Sequence, residues 1–217
     1  GESGSGKSTL GRSIMRLVPI TDGQITLEGT ELSALEGRSL KQFRHRMQMI
    51  FQDPYASLNP RMTVYDTLAE PLLLHGLVRK ANLDESIREL MDNVGLARAF
   101  VRKYPHEFSG GQRQRIAIGR ALATRPEFIV ADEPVSALDV TIQAQILALL
   151  ADLTKEYGLT MLFISHDLAV IRQIADRTAV MYHGKLVEEG STAQVFETPQ
   201  QEYTRSLLAA IPGANAT

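Results

Sequence analysis

The first nine residues, Gly1-Glu2-Ser3-Gly4-Ser5-Gly6-Lys7-Ser8-Thr9, fit the phosphate-cradling pattern G-x-x-x-x-G-K-S/T without a mismatch. Each residue type has a chemical reason to be there. Gly1, Gly4 and Gly6 allow positive φ, so the N–H groups of a loop through Ser3 and Ser5 can turn inward around an anion. Lys7 brings a point charge to the outer phosphates, and Ser8 offers a hydroxyl to Mg²⁺. Thr9 opens an expected helix over 9–18, with Leu10, Ile14 and Leu17 on one face and its dipole aimed at the phosphates. The plainer alternative is a Gly/Ser-rich turn capping a helix. A phosphate-binding loop is expected to follow a buried parallel strand. No residue precedes Gly1, so the chain reads as a fragment cut at its own motif.

Two more stretches carry chemistry. Residues 128–133, Phe-Ile-Val-Ala-Asp-Glu, put two carboxylates directly after four apolar residues. A buried strand of that kind delivers Asp132 to its C-terminal edge, where ligands bind in open α/β sheets and where it can meet Mg²⁺. Glu133 is then free to take a proton from an attacking water. Alone, the run could equally be a strand ending in solvated acids; the phosphate loop argues against that. Residues 108–115, Phe-Ser-Gly-Gly-Gln-Arg-Gln-Arg, place Ser109 as a helix N-cap, and Gly110 and Gly111 expose backbone N–H groups there. A cap explains Ser109 but not the paired glycines, and the stretch reads as a second anion site. Arg113 and Arg115 are expected to be solvated.

These residues need elements to position them. A strand is expected over 24–28, ended by Gly29, and a basic helix over 40–46. A buried strand over 47–51 should stop at Gln52-Asp53-Pro54. Between 63 and 123 the texture is helical: an apolar run over 64–74 broken at Pro71, a helix over 84–94 capped by Asp84, and another over 112–123. Beyond it come a strand over 128–131 and a helix over 140–153 with Ile142, Ile146, Leu149, Leu150 and Leu153 inward. A strand over 160–164 and a helix over 167–174 follow, then two strands, 177–182 and 185–189, around the turn His183-Gly184. Strands alternating with helices imply an α/β fold with a mainly parallel sheet and a small antiparallel portion. One domain is expected, with a core over 1–62 and 124–196, an inserted helical lobe over 63–123 and a C-terminal extension over 197–217.

The 217 residues suffice for one large domain or two small lobes. A net charge of −2 gives no basic field for nucleic acid or anionic lipid. The chain has no Cys, so it offers neither disulfides nor thiolate metal sites. No apolar run approaches the roughly 20 residues of a membrane span, so a membrane connection is expected to run through a partner.

Taken together, these motifs resemble the ATP-binding subunits of ABC transporters over essentially the whole chain. The resemblance rests on the P-loop, on Gln52 in the Q-loop position, and on Ser109-Gly110-Gly111-Gln112 as the signature. It continues with the Walker B run ending in Asp132 and Glu133, the D-loop Ser136-Ala137-Leu138-Asp139, and His166 as the switch histidine. A closer resemblance is to the peptide, nickel and glutathione importers, whose extended Q-loop is matched by residues 51–60 and whose C-terminal extension by 199–208. The departure is an upstream aromatic that stacks on adenine in relatives and is missing here. The resemblance implies Mg²⁺-dependent ATP hydrolysis that energises import of peptides or a related small solute. It implies ATP contacts from Gly1, Ser3, Gly4, Ser5, Gly6, Lys7, Ser8, Thr9, Ser109, Gly110, Gly111, Gln112 and Asp139. Ser8, Gln52 and Asp132 would hold the metal, and Glu133, Gln52 and His166 would serve catalysis. His45, His75, His106 and His183 are expected to be surface or structural. The implied partners are a second such domain, head to tail, permease subunits and, indirectly, a solute-binding protein, at the cytoplasmic face of the membrane and without nucleic acid. The rival is a non-transport ABC ATPase acting on DNA or ribosomes, but no long coiled coil or tandem cassette is visible. A nucleotide-dependent module without turnover is disfavoured by Glu133 and His166.

Overall fold

The computed structural model describes residues 1–210. The expected extension over 197–217 therefore lies partly outside the described residues. In chain order the elements begin with α1 (Lys7–Ile14), the short strands β1 (Thr26–Leu27) and β2 (Thr30–Glu31), α2 (Gly37–Phe43), β3 (Met47–Ile50) and α3 (Pro54–Ser57). Helices α4 (Val64–Leu74), α5 (Leu83–Asn93) and α6 (Gly110–Leu122) follow. Then come β4 (Phe128–Asp132), α7 (Val140–Tyr157), β5 (Thr160–Ile164) and α8 (Leu168–Ile174). The last described elements are β6 (Arg177–Tyr182), β7 (Lys185–Ser191), α9 (Thr192–Glu197) and α10 (Glu202–Ala209). The chain divides into two compact units, Ile20–Leu162 and Gly1–Pro19 with Phe163–Thr217.

The larger unit holds β3, β4 and the start of β5, in a sheet of order β3-β4-β5. β3 and β4 run parallel, in register from Met47↔Phe128 to Ile50↔Ala131. Ile129, Val130 and Ala131 are fully buried, as a parallel strand covered on both faces requires. Arg46 and Glu127 tie the entry of β3 to that of β4 through two bonds of 2.6 Å. Helices α4, α5 and α6 meet in an apolar core that includes Leu68, Ile87, Met91, Ile116, Ile118 and Leu122.

Three local expectations fail here, each for a stated reason. Gly29 does not end a strand but turns one: with Glu28 (φ 47°) and Gly29 (φ 75°) it links β1 and β2 in a two-residue hairpin. Helix α4 runs straight through Pro71 to Leu74, and His75 N donates to the Pro71 carbonyl (3.2 Å). A proline inside a helix costs about 3 kcal/mol. Burying Val64, Leu68 and Leu72 on the same face, at roughly 1.5–3 kcal/mol each, outweighs it. Asp84 is not the cap of α5; it lies in the first turn and accepts the Tyr65 hydroxyl (2.6 Å) instead.

In the smaller unit, α1 is shorter than expected, and Leu10 and Leu17 are 38% and 46% exposed. β6 and β7 pair antiparallel from Arg177↔Ser191 to Tyr182↔Lys185. Their turn places His183 (φ 46°) and Gly184 (φ 77°) left-handed, as a type I′ hairpin demands. The C-terminal segment is anchored by Glu188 of β7, whose carboxylate accepts Gln200 N (2.7 Å) and Gln201 N (3.1 Å) just before α10. The mixed fold is thus the expected one, parallel strands with small antiparallel pairs and helices.

Candidate functional site

The phosphate loop lies in the smaller unit and rests on the β6–β7 hairpin. Gly184 N donates to Ser5 O (2.9 Å). A Cβ on Gly1 would fall 2.0 Å from Met181 O, so no side chain fits there without movement. Gly4 (φ 82°) and Gly6 (φ 98°) make the loop's two left-handed bends, and Gly6 is the N-cap of α1. Ser5 is buried, while Ser3 stays exposed at the tip. Lys7 folds its ammonium back into the loop, donating to Gly1 O (2.8 Å), Glu2 O (2.7 Å) and Ser5 Oγ (3.4 Å). Ser8 and Thr9 sit in the first turn of α1. A curled backbone, a helix N-terminus and one inward ammonium form a donor set suited to a polyphosphate.

In the larger unit β4 ends in two carboxylates of different character. Asp132 is 1% exposed and Glu133 is half-buried. Glu133 takes a left-handed backbone (φ 46°), strained for a residue with a Cβ. Its carbonyl accepts both the N–H (3.2 Å) and the hydroxyl (3.1 Å) of Ser136, which hold the turn. Gln52 Nε2 donates to Glu133 Oε2 (3.2 Å), so the structure brings together two of the expected site residues, 81 positions apart. Immediately after Gln52, Asp53 caps α3, accepting Tyr55 N (2.8 Å) and Ala56 N (3.2 Å).

The signature opens α6. Ser109 Oγ accepts Gln112 N (3.3 Å), and Gln112 Oε1 accepts Ser109 N (3.1 Å), a reciprocal capping box. Ser109 and Gly110 are exposed, while Gly111 is buried. A Cβ on Gly111 would lie 2.4 Å from Ile142 Cγ2, and one on Gly110 3.3 Å from Leu138 Cδ2. The paired glycines therefore let α6 approach the D-loop and α7. Asp139 caps α7 by accepting Ile142 N (3.0 Å).

The arginines of α6 are not a solvated face. Arg113 Nε donates to Pro105 O (2.7 Å), and its guanidinium lies 5.0 Å from the Tyr55 ring centroid. Arg115 Nη1 donates to Val94 O (2.7 Å), and Arg120 Nη1 to Ser57 O (2.6 Å). Burial lowers the Arg120 pKa. Two of these arginines clamp α3, the helix after Gln52, onto the signature helix. Composition gave no hint of this, because the partners are backbone carbonyls and a ring set by the fold. His166 is exposed in the turn between β5 and α8, where Asp167 N donates to Ser165 Oγ (2.9 Å). Among the described residues no group of three His, Cys, Asp or Glu could hold a metal. Ser8, Asp132 and Gln52 are hard oxygen donors of the kind Mg²⁺ takes alongside phosphate and water.

A phosphate loop, a carboxylate pair after a buried parallel strand and a glycine-opened helix form one recognisable set. The ABC transporter family profile matches residues 1–136. The oligopeptide transport ATP-binding protein OppF of Bacillus subtilis is 56% identical over 98% of this chain and 70% of its own length. The glutathione import ATP-binding protein GsiA of Pectobacterium atrosepticum is 52% identical over 99% of this chain and 34% of its own. Among solved structures, the ATP-binding cassette MJ0796 in a dimeric post-hydrolysis state bound to ADP and Pi is 31% identical. It superposes with a TM-score of 0.79 over 88% of this chain and 83% of that one. By motif order, sequence and fold, the chain belongs to the ABC transporter family.

Proposed function

We propose that this chain binds and hydrolyses ATP as the motor subunit of an importer of peptides or a related small solute. The observation that carries the reading is the curled loop 1–9 with the Lys7 ammonium turned into it. The peptide and glutathione import relatives support the solute class. Phosphate oxygens replace the loop carbonyls as partners of Lys7, while the amides between Gly4 and Thr9 bind the remaining anionic oxygens. Ser8, Asp132 and Gln52 would each offer an oxygen to Mg²⁺, which would supply neutralisation of the phosphate charge. Glu133 accepts a proton at its carboxylate from the attacking water, and Gln52, on the same carboxylate, orients it. His166 donates to the γ-phosphate.

Ser109, Gly110, Gly111 and Gln112 act on the nucleotide of a partner cassette, with Asp139 at that interface. Dimeric cassettes among the structural neighbours support this arrangement. The segment 63–123 serves as a helical lobe on a core of 1–62 and 124–196. No helix of the described residues is long and apolar enough to cross a membrane. Attachment at the cytoplasmic face runs through permease subunits that bind the surface of 52–59, with a solute-binding protein beyond them. Lys7→Ala tests the reading by ATP titration: binding is expected to fall at least tenfold. Equal affinity in parent and variant would overturn it.

A further inference from the structure

The family profile ends at residue 136, so nothing about α10 follows from it. Yet α10 touches the phosphate loop. Glu2 N donates to the hydroxyl oxygen of Tyr203 (3.2 Å), across 201 positions of sequence. The Tyr203 ring packs on Tyr182 at the end of β6, with centroids 4.1 Å apart. Tyr182 in turn meets the His183 ring at 4.2 Å, beside the Gly184 amide that holds Ser5. Glu188 fixes the segment entering α10. Tyr203 is therefore carried on a braced helix and reaches the loop over an aromatic support.

The contact falls on one planar peptide. Glu2 N–H and Gly1 C=O belong to the same unit, and in a trans peptide they point opposite ways. Tyr203 holds the N–H side, and Lys7 donates to the C=O side. Turning that plane away from Tyr203 would swing the Gly1 carbonyl away from the Lys7 ammonium. We propose that Tyr203 is a positioning residue for the phosphate loop, a latch by which the C-terminal helix presets the Gly1–Glu2 peptide and through it Lys7. The inference rests on the reading of residues 1–9 as a nucleotide site. It makes nucleotide affinity depend on the placement of α10, which lies outside the motifs that contact nucleotide.

The test uses Tyr203→Phe, which keeps the ring stack and removes only the acceptor oxygen, with Tyr182→Phe as a control that keeps both. Two quantities are measured: hydrogen exchange at the Glu2 amide in the nucleotide-free protein, and affinity for a fluorescent ATP analogue. For Tyr203→Phe, Glu2 is expected to exchange faster and affinity to fall about threefold to tenfold, the equivalent of one neutral hydrogen bond. The melting temperature and the rate at saturating ATP should stay as in the parent. Tyr182→Phe should leave both quantities unchanged. A parent-like Glu2 exchange rate or parent-like affinity in Tyr203→Phe would overturn the latch. A parent protein that binds no ATP would instead overturn the nucleotide-site reading.

Discussion

Single residues in this molecule show where local preference yields to chemistry. Glu133 is left-handed although it carries a Cβ, a conformation that costs about 1–3 kcal/mol and persists only when neighbours impose it. Ser136 supplies that constraint with two bonds to the Glu133 carbonyl. The result aims a carboxylate off the end of a buried strand, where Gln52 meets it. Gln114 shows the opposite case. It is 0% exposed on α6, and neither end of its amide finds a hydrogen-bond partner among the described residues. A buried amide without partners costs about 1–3 kcal/mol. Gln114→Met, of similar length, should therefore raise stability by about 1–3 kcal/mol in urea unfolding. A loss of stability would show that the amide is satisfied in solution.

At the scale of elements, α6 is held by contacts no local pattern announces. Gly111 lets it close on α7, where an added methyl would sit 2.4 Å from Ile142 Cγ2. Gly111→Ala is expected to destabilise by about 1–3 kcal/mol through overpacking, read from the urea midpoint. An unchanged midpoint would mean that α7 gives way freely. The segment entering α10 depends on Glu188. Partial burial pushes its carboxyl pKa up, but the Thr204 side chain, the backbone N–H groups of Gln200 and Gln201 and the Arg205 charge favour the charged form, and the net direction is down. A group whose pKa is lowered on folding stabilises the fold above its unfolded value, about 4.3. That contribution is lost as pH falls through the lower folded value. An NMR titration of the Glu188 carboxyl should give a midpoint below about 4.3, and a midpoint above it would contradict the anchoring. Much of this scale was legible in sequence, because it is encoded locally. The bounds of β5 and the hairpin turn His183-Gly184 follow from periodicity and turn chemistry, and the Ser109 cap from one side chain. Pro71 and Asp84 misled because tertiary burial and the Tyr65 hydroxyl outcompeted local rules. The arginine clamps and the Tyr203 contact were invisible, since their partners are backbone groups and a ring set by other segments.

For the whole molecule, the proposed function pairs the loop of residues 1–9 with the signature of a second copy or a related cassette. Ser109 and Gly110 lie exposed at the start of α6, where the proposed function would have them meet a partner's nucleotide. The loop of residues 1–9 would receive the partner's signature in return. Dimeric cassettes of the same fold are among the structural neighbours. In such a dimer, hydrolysis would open what binding closes, and α3, clamped to α6 by Arg113 and Arg120, would carry that motion from Gln52 to the 52–59 surface. In the proposed mechanism Glu133 accepts the proton from water. The direct measurement is steady-state ATP hydrolysis by Glu133→Gln, alongside sedimentation in ATP. The amide preserves shape and the Gln52 contact distance but cannot act as a base. Turnover should fall by about 10²–10⁴-fold while ATP binding persists and a dimer accumulates. Turnover within a few fold of the parent would contradict the assignment of Glu133.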